Sequence, residues 1–432
     1  MVRILLTGAN GFIGGQLLAE LRARGHEVVA AVRDPEALRR KLPGIEAIAV
    51  DFNRDTSVED WRPRLEGIDA VINCAGVLHG GRGQDIEAIH AATPIALFEA
   101  CVAAGVRRVI QISAISADAD VGTEYALTKK HADDYLRSLS IDWTVLRPSL
   151  VYGDGSYGGT SALRGLAGLP LVSPLVSDGT AAFRPLHIED LVETVARVLE
   201  GERFARQTLE PVGPEIVSLR ELVADYRAWL GLKPAIEIPI PLPIMKFAAR
   251  LADVAGGGPL GSTSLRQLLA GNVGREPAGV FARAIGFVPR SLKVMLARRP
   301  AQTQDVWHAR LYFLRPVLRV ALAFMWLGSA VVGLLAPVSS YAVVDAALTT
   351  LGLPARALAV AFSMLDLLIA AALLVRWNVR LLTVIQLIVV AGYTAVLTVL
   401  APALWLDPFG ALLKNLPILV AIGAWAVLEE ER

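Results

Sequence analysis

Cysteine is nearly missing from this chain: Cys74 and Cys101 are the two in 432 residues. Two isolated thiols exclude a disulfide framework and a thiolate metal cluster, which suits a reducing compartment. No sign of charge dominates either. With 42 Lys and Arg against 41 Asp and Glu, the composition gives no electrostatic reason for a nucleic-acid partner. The chain opens without a basic segment leading into an apolar run and cleavage site, so no signal peptide is expected. Charge of any kind is scarce in one place. From Leu311 to Arg432 there are seven Lys or Arg and six Asp or Glu in 122 residues, against 35 and 35 in the 310 before them. That contrast predicts one water-soluble domain, about 1–300, followed by a membrane domain, about 311–432.

What is present is glycine, at telling positions. Val2 to Leu6 reads as a short buried strand, and Thr7-Gly8-Ala9-Asn10-Gly11-Phe12-Ile13-Gly14 follows it directly. Gly8 permits a tight turn, Gly11 lets the backbone approach a pyrophosphate, and Gly14 lets the next helix pack on the strand. The helix start at Phe12 offers free N–H groups to an anion. A dinucleotide site is therefore expected here. Strand two, His26 to Val32, ends at Arg33, beside the expected adenosine ribose. An arginine there pairs with the 2′-phosphate of NADP, whereas an acidic residue would favour NAD. The alternative for Arg33 is an ordinary surface arginine.

Further strands are predicted at Ala47 to Phe52, Ala70 to Asn73 and Arg108 to Ser113, with helices between them, including Glu87 to Ala104. Alternation at this spacing implies an α/β fold with a doubly wound parallel sheet. Ser113 closes the fifth strand, and Tyr125-Ala126-Leu127-Thr128-Lys129 follows. Four residues apart on a helix, the phenol and the ammonium share a face. A cation beside a phenol is expected to lower its pKa and suit it to proton transfer.

These pieces, with Asn73 to Gly76 and Arg147-Pro148-Ser149-Leu150-Val151-Tyr152-Gly153, resemble the short-chain dehydrogenase/reductase superfamily in its extended or atypical branch, a Rossmann fold. The run Ser113 to Asp118 is similar to the group that includes the nucleotide-binding accessory subunit of respiratory complex I. The resemblance implies Tyr125 as catalytic acid and base, Lys129 as its partner and a ligand of the nicotinamide ribose, and Ser113 as the donor that orients the carbonyl. It also implies Asp51 beside adenine and Pro148 near the nicotinamide. Thr7, Gly8, Asn10, Gly11, Phe12, Ile13, Gly14, Arg33, Asn73, Ala75, Gly76 and Lys129 complete the cofactor set, and no metal is implied. Ser116 competes with Ser113, and His90 is the nearest candidate for the relay asparagine of many members.

From Gly153 to about Arg299 the pattern is irregular, as for a small lobe over the site. Arg184 to Asp190 opens one helix, and Ser218 to Leu230 makes another. His187 is expected to be a packed structural histidine. Phe247, Ala248, Leu251 and Val254 form an apolar stripe, expected to pack into the lobe rather than lie on a membrane. Gly256-Gly257-Gly258-Pro259 marks a loop.

Four apolar stretches follow, about Val317 to Ala336, Ala357 to Val375, Leu381 to Leu400 and Ala411 to Leu428, predicting an all-α four-helix transmembrane bundle. Arg298, Arg299, Arg310, Arg315 and Arg319 before the first, and Arg376 and Arg380 in the second loop, put the soluble domain and the C-terminus on the cytoplasmic side of a bacterial inner membrane. Gln386 to Thr398, Trp405 to Gly410 and Lys414-Asn415-Leu416-Pro417 resemble the DoxX-like family. Asp366 falls within the second span, as a quinone or proton site or as an interhelical hydrogen bond, with Gln386, Tyr393 or Lys414 as partner. The expected activity is NADP(H)-dependent oxidation or reduction of an apolar small molecule, NAD being the alternative cofactor. A non-catalytic nucleotide-binding subunit of a membrane redox complex and a nucleotide-sugar epimerase or dehydratase are the competing classes. The bilayer is the expected partner, and an oligomer is compatible with the sequence.

Overall fold

The computed structural model describes all residues except 79, 81–82, 156, 255–260, 278, 338–353 and 431–432. The run Gly256 to Pro259 and the interior of the first membrane loop lie outside the described residues. The chain divides into two compact units, Met1–Ala309 and Arg310–Arg432.

In the first unit, β1 (Arg3–Thr7), β2 (Glu27–Val32), β3 (Glu46–Ala49), β4 (Ala70–Asn73), β5 (Arg108–Ile112) and β6 (Asp142–Leu146) lie in one parallel sheet with the strand Gln207–Leu209. The order is Gln207–Leu209, β6, β5, β4, β1, β2, β3. Alternation along each strand divides the core between the two faces. Ile4, Leu6, Val28, Ala30, Ala70, Ile72, Ile110 and Ile112 face one cluster with the helices Phe12–Ala23 and Ile188–Glu200. Leu5, Val29, Ala31, Val71, Val109 and Val145 face the other, with Trp61 and the helix Thr93–Ala104. Because both faces are covered, the strands read as unbroken apolar runs.

The helix expected as one piece from Glu87 to Ala104 begins with a π-helical turn, Ala88–Ala92, before Thr93–Ala104. Pro94 supplies the reason. It has no N–H to give the carbonyl four residues back, and its ring crowds that carbonyl, so the turn widens around His90.

The segment after Gly153 is only partly a lobe. The helix Ile188–Glu200 joins the sheet core instead, tied at its C-terminal end by buried Arg108. Its Nη1 donates to the carbonyls of Val198 at 2.9 Å and of Leu199 and Gly201 at 3.0 Å. The strand Gln207–Leu209 then extends the sheet beside β6. A separate core forms among the helices Gly158–Gly168, Leu219–Trp229 and Leu292–Arg298. The expected packing of Phe247 and Leu251 is corrected. In the helix Leu242–Val254 they are 64% and 56% exposed, while Ala249 is the residue it buries among its described side chains, Val254 lying outside them.

Among the described residues three helices are long and apolar enough to cross a membrane: Thr303–Leu335, which begins in the first unit, Arg356–Leu374 and Val379–Leu400. The fourth stretch gives a helix of 15 residues, Asn415–Glu429. At about 1.5 Å per residue it is roughly 22 Å long, short of the ~30 Å of hydrocarbon. The turn around Asp407 to Gly410, where Gly410 has φ +66°, delays its start. It still packs into the bundle through Ile422 and Trp425, against Leu322, Trp326, Ile369 and Leu373. The expected pairing of Asp366 with Gln386, Tyr393 or Lys414 is also corrected. Asp366 accepts from Ser329 Oγ at 2.7 Å, and Gln386 accepts from Trp326 Nε1 at 2.9 Å.

A Cβ at Gly14 would stand 2.2 Å from the Gly8 carbonyl oxygen, whereas one at Gly15 would stand 3.7 Å from its nearest neighbour. Gly14→Ala should therefore cost about 1–3 kcal/mol of stability, the range for overpacking. Gly15→Ala should be neutral or slightly stabilising. Denaturant unfolding of both variants in detergent checks the contrast, and equal stability would contradict the tight approach.

Candidate functional site

The glycine loop sits at the C-terminal edge of the sheet, between β1 and the helix Phe12–Ala23. Gly8 turns with φ +64°, and Gly11 N–H donates to the Gly8 carbonyl at 2.9 Å. The helix start differs from several others in this unit, although Gly158–Gly168, Ser262–Ala270 and Val280–Ile285 also begin without a side-chain cap. Asp34, Ser57, Thr123, Ser218 and Ser291 each cap a helix with a side-chain oxygen, whereas Gly11 provides none and the first turn holds no acidic residue. Its first N–H groups have no intrahelical acceptor, and its dipole favours an anion. This end fits the pyrophosphate of a dinucleotide.

Asn73 holds the floor of the site. It is fully buried at the end of β4, and its Oδ1 accepts from Thr7 Oγ1 at 2.5 Å while its Nδ2 donates to Gln111 Oε1 at 2.7 Å. Thr7 Oγ1 in turn accepts from Cys74 N at 3.2 Å, and Ala75 N donates to Asn73 Oδ1 at 3.3 Å. The ends of β1, β4 and β5 are thereby linked, and Gly76 emerges from them. A Cβ on Gly76 would lie 3.1 Å from Lys129 Nζ and 3.4 Å from His90 Nε2. The sequence motifs therefore converge on one place.

Tyr125 and Lys129 lie on the helix Glu124–Ser138. Lys129 is buried, with Nζ donating to the carbonyls of Ala75 at 3.2 Å and Ile112 at 3.3 Å. Burial lowers its pKa to about 8, opposed by the neighbouring Asp133. The expectation of an acidified Tyr125 is corrected. Burial pushes its phenol up to about 12, with Asp133 adding to the rise. His90 meets the Tyr125 ring edge-on at 5.2 Å, accepts from Val77 N at 3.0 Å through Nε2, and lies 3.2 Å from Thr128 Oγ1 through Nδ1. Burial first, and then the Lys129 charge, holds its pKa down at about 2, so the imidazole is neutral.

Ser113 is buried, and its hydroxyl donates to Asp133 Oδ2 at 2.8 Å. That oxygen also takes Arg147 Nε and Nη2, each at 2.9 Å. The serine expected to orient a carbonyl is thus engaged by an ion pair. Asp133 escaped the sequence reading, although its position four residues beyond Lys129 puts it on the same helix face. Ser116 is buried in the turn after β5.

The remaining candidates lie around this centre. Arg33 is exposed just beyond β2, and Asn10 is exposed in the loop. Phe12 stacks on Tyr157 at 5.7 Å, and Ile13 is half-buried. Asp51 accepts from Asn53 N at 3.0 Å in the turn after β3. Pro148 is buried, and its carbonyl accepts from Ile115 N at 3.0 Å. His187 is packed as expected, edge-on to Tyr152 and capping the helix Ile188–Glu200 by accepting from Glu189 N at 3.3 Å. Among the described residues no group of His, Cys, Asp and Glu is placed to hold a metal ion.

Residues 8–166 match the family described as NAD(P)H-binding, and residues 323–423 match the DoxX-like family. The chain is 30% identical over 271 residues to a 3-diazoavenalumate denitrifying reductase from a Streptomyces species, covering 56% of this chain and 86% of that protein. It is 26% identical over 276 residues to the UDP-glucose 4-epimerase of Vibrio cholerae, covering 57% and 81%. It is 25% identical over 252 residues to the ceramide reductase of Caulobacter vibrioides, covering 58% and 77%. Among solved structures, MoeE5 in complex with UDP-glucuronic acid and NAD shares the fold. The TM-score is 0.52 at 23% identity, over 71% of this chain and 99% of that one. With the glycine loop, the Tyr–Lys helix and the sheet order already in place, the chain belongs to the NAD(P)H-binding family of short-chain dehydrogenase/reductase-type reductases and epimerases, and carries a DoxX-like membrane domain behind it.

Proposed function

We propose that the protein is a membrane-anchored NADP(H)-dependent oxidoreductase acting on a carbonyl or alcohol of an apolar, membrane-associated substrate. The observation that carries this reading is the convergence of Lys129 and His90 on Gly76, with Tyr125 against the His90 ring, together with the uncapped helix end at Gly11. When bound, the nicotinamide supplies or accepts a hydride. The chain's residues do the rest. The N–H groups at the start of Phe12–Ala23 hold the pyrophosphate, Arg33 pairs with the 2′-phosphate, Asp51 borders the adenine, and Lys129 binds the nicotinamide ribose. Pro148 borders the nicotinamide.

Tyr125 keeps its proton at neutral pH, so in the reducing direction it is ready to donate to the oxygen of a carbonyl. The phenolate left behind is stabilised by the Lys129 ammonium. His90, neutral and bonded toward Thr128, holds the ring face of Tyr125. With Ser113 committed to Asp133, the substrate oxygen falls to Ser116, the other serine candidate, in the turn after β5. The apolar substrate is supported by the three spanning helices and by a relative that is a ceramide reductase. The arginines flanking the spans support a cytoplasmic catalytic unit at a bacterial inner membrane.

NADPH should bind at least tenfold more tightly than NADH, because a charge-assisted contact to the 2′-phosphate is worth on the order of 1.5–3 kcal/mol. Arg33→Ala should erase most of that preference. Titration calorimetry with both nucleotides checks this, and equal wild-type affinities would remove Arg33 from the site.

Tyr125→Phe should leave nucleotide affinity nearly intact and lower turnover by roughly 10²-fold or more, the scale of lost acid–base catalysis. A variant with full activity on a carbonyl panel would move the chemistry elsewhere.

Lys129 tests the electrostatics. Its native pKa of about 8 lies below the ordinary 10.5. Between those values the unfolded chain binds more protons than the native one, so stability rises with pH across the window by on the order of 3 kcal/mol. Lys129→Met should abolish that rise. Denaturant unfolding of both proteins at about pH 7 and about pH 10 measures it, and parallel pH dependences would contradict a buried ammonium.

A further inference from the structure

The helix Leu242–Val254 has apolar residues on two sides, and the fold uses one. Inward it sets buried Ala249 with half-buried Leu242, Met245 and Ala252. On another face, at spacings of three and four, Ile244 is 59%, Phe247 64% and Leu251 56% exposed, with exposed Ala248 among them. The strand that leads into the helix, Ile236–Ile240, also presents Ile236 and Ile238 to solvent. Large apolar side chains repeated along one exposed helix face mark a contact surface, unlike single exposed residues.

Two cations border this face. Lys246 and Arg250, one turn apart and exposed, run along its flank. The nearby carboxylates are engaged within the fold. Asp253 accepts from Ser262 N at 3.0 Å, and Glu237 pairs with Arg220 at 3.0 Å. A helix with a bulky apolar face and a basic flank matches a bilayer surface, where the apolar face enters the acyl boundary and the long cationic side chains reach anionic headgroups. The same chain enters the membrane through Thr303–Leu335, which keeps its first unit near headgroups at high effective concentration.

We infer that the Ile244–Phe247–Leu251 face of the helix Leu242–Val254 lies in the surface of the lipid bilayer, as an in-plane contact separate from the spanning helices. Its partner is lipid, not the nucleotide or a second protein.

The test uses the full chain in nanodiscs of phosphatidylcholine and phosphatidylglycerol, one chain per disc. Phe247→Cys and, as a control on the exposed end of another helix, Lys41→Cys each carry an environment-sensitive fluorophore. The unsubstituted chain, with Cys74 and Cys101, gives the labelling background. Lipids spin-labelled high on the acyl chain should quench the label at 247 about threefold or more beyond the label at 41, with a blue-shifted emission. Adding Ile244→Glu and Leu251→Glu to Phe247→Cys should remove that quenching while leaving the thermal unfolding temperature in detergent unchanged. Equal quenching at 247 and 41 in folded protein overturns the inference. So does a blue shift that ignores the spin-labelled lipid and grows with the number of chains per disc, since a second copy would then cover the face.

Discussion

The site depends on a buried amide. Parallel strands end in carbonyls and N–H groups that have no further ladder partner, and in this sheet three of those ends must hold still while the chain leaves in three directions. Asn73 solves the problem with its side chain. Thr7 donates to its oxygen and Gln111 accepts from its nitrogen, so β1, β4 and β5 are joined through the side chains of their last paired residues as well as by the ladder. An apolar residue of the same size would leave the Thr7 hydroxyl without an acceptor for its hydrogen and the Gln111 side-chain oxygen without a donor, which costs more than the bonds themselves contribute. The glycine loop, the Gly76 turn and the turn after Ser113 all start from this tie.

A second constraint follows from burying Lys129 beside it. An ammonium withdrawn from water needs acceptors, and two backbone carbonyls supply them. Asp133 supplies the countercharge from the next turn of the same helix. Asp133 is itself fully buried, and burial raises its pKa against the opposing pull of Arg147 and the Ser113 hydroxyl. The charges form a chain from Arg147 through Asp133 to Lys129. Ser113 belongs to that chain, so its location at the end of β5 does not by itself assign it to a substrate. Removing the serine hydroxyl would act on Lys129 through Asp133 and would not separate positioning from catalysis unless Ser116 were varied alongside it.

Much of this was legible in the residues, for identifiable reasons. The strands were visible because a sheet covered on both faces needs unbroken apolar runs. The glycine loop was visible because three backbone requirements fix glycine at three spacings, and Gly14 meets the strictest of them. Tyr125 and Lys129 were visible through helical spacing. Asp133 and Arg147 were not, since their pairing spans a helix and a strand end that only the sheet order brings together. The acidified tyrosine was expected from a neighbouring cation, but burial outweighs that neighbour. The π-helical turn at His90 had a local cause in Pro94, whose effect on the preceding carbonyl is readable once the helix is known to start before it. The exposed face of Leu242–Val254 was misassigned because apolar periodicity says that a face is covered without saying by what.

The membrane unit obeys the same accounting with lipid in place of water. Its spans cannot gain from the hydrophobic effect by meeting one another, so they are held by close packing and by polar pairs. Trp326 and Ser329, one turn apart on the first span, donate to Gln386 on the third and Asp366 on the second. At Gly333, one further turn along, an added Cβ would lie 2.2 Å from Ser363 Oγ, so a larger residue would make that hydroxyl turn away. A single face of the first helix thus bonds or contacts both neighbours within two turns. Asp366 is part of this joint, and its hydrogen bond to Ser329 favours the interhelical reading of that carboxyl over one that leaves it waiting for a ligand. A bundle specified by such contacts has a fixed arrangement of spans, which a simple anchor does not require. What it holds in that arrangement is a buried Trp–Gln pair and a half-buried Ser–Asp pair, the groups on which any chemistry of its own would have to draw.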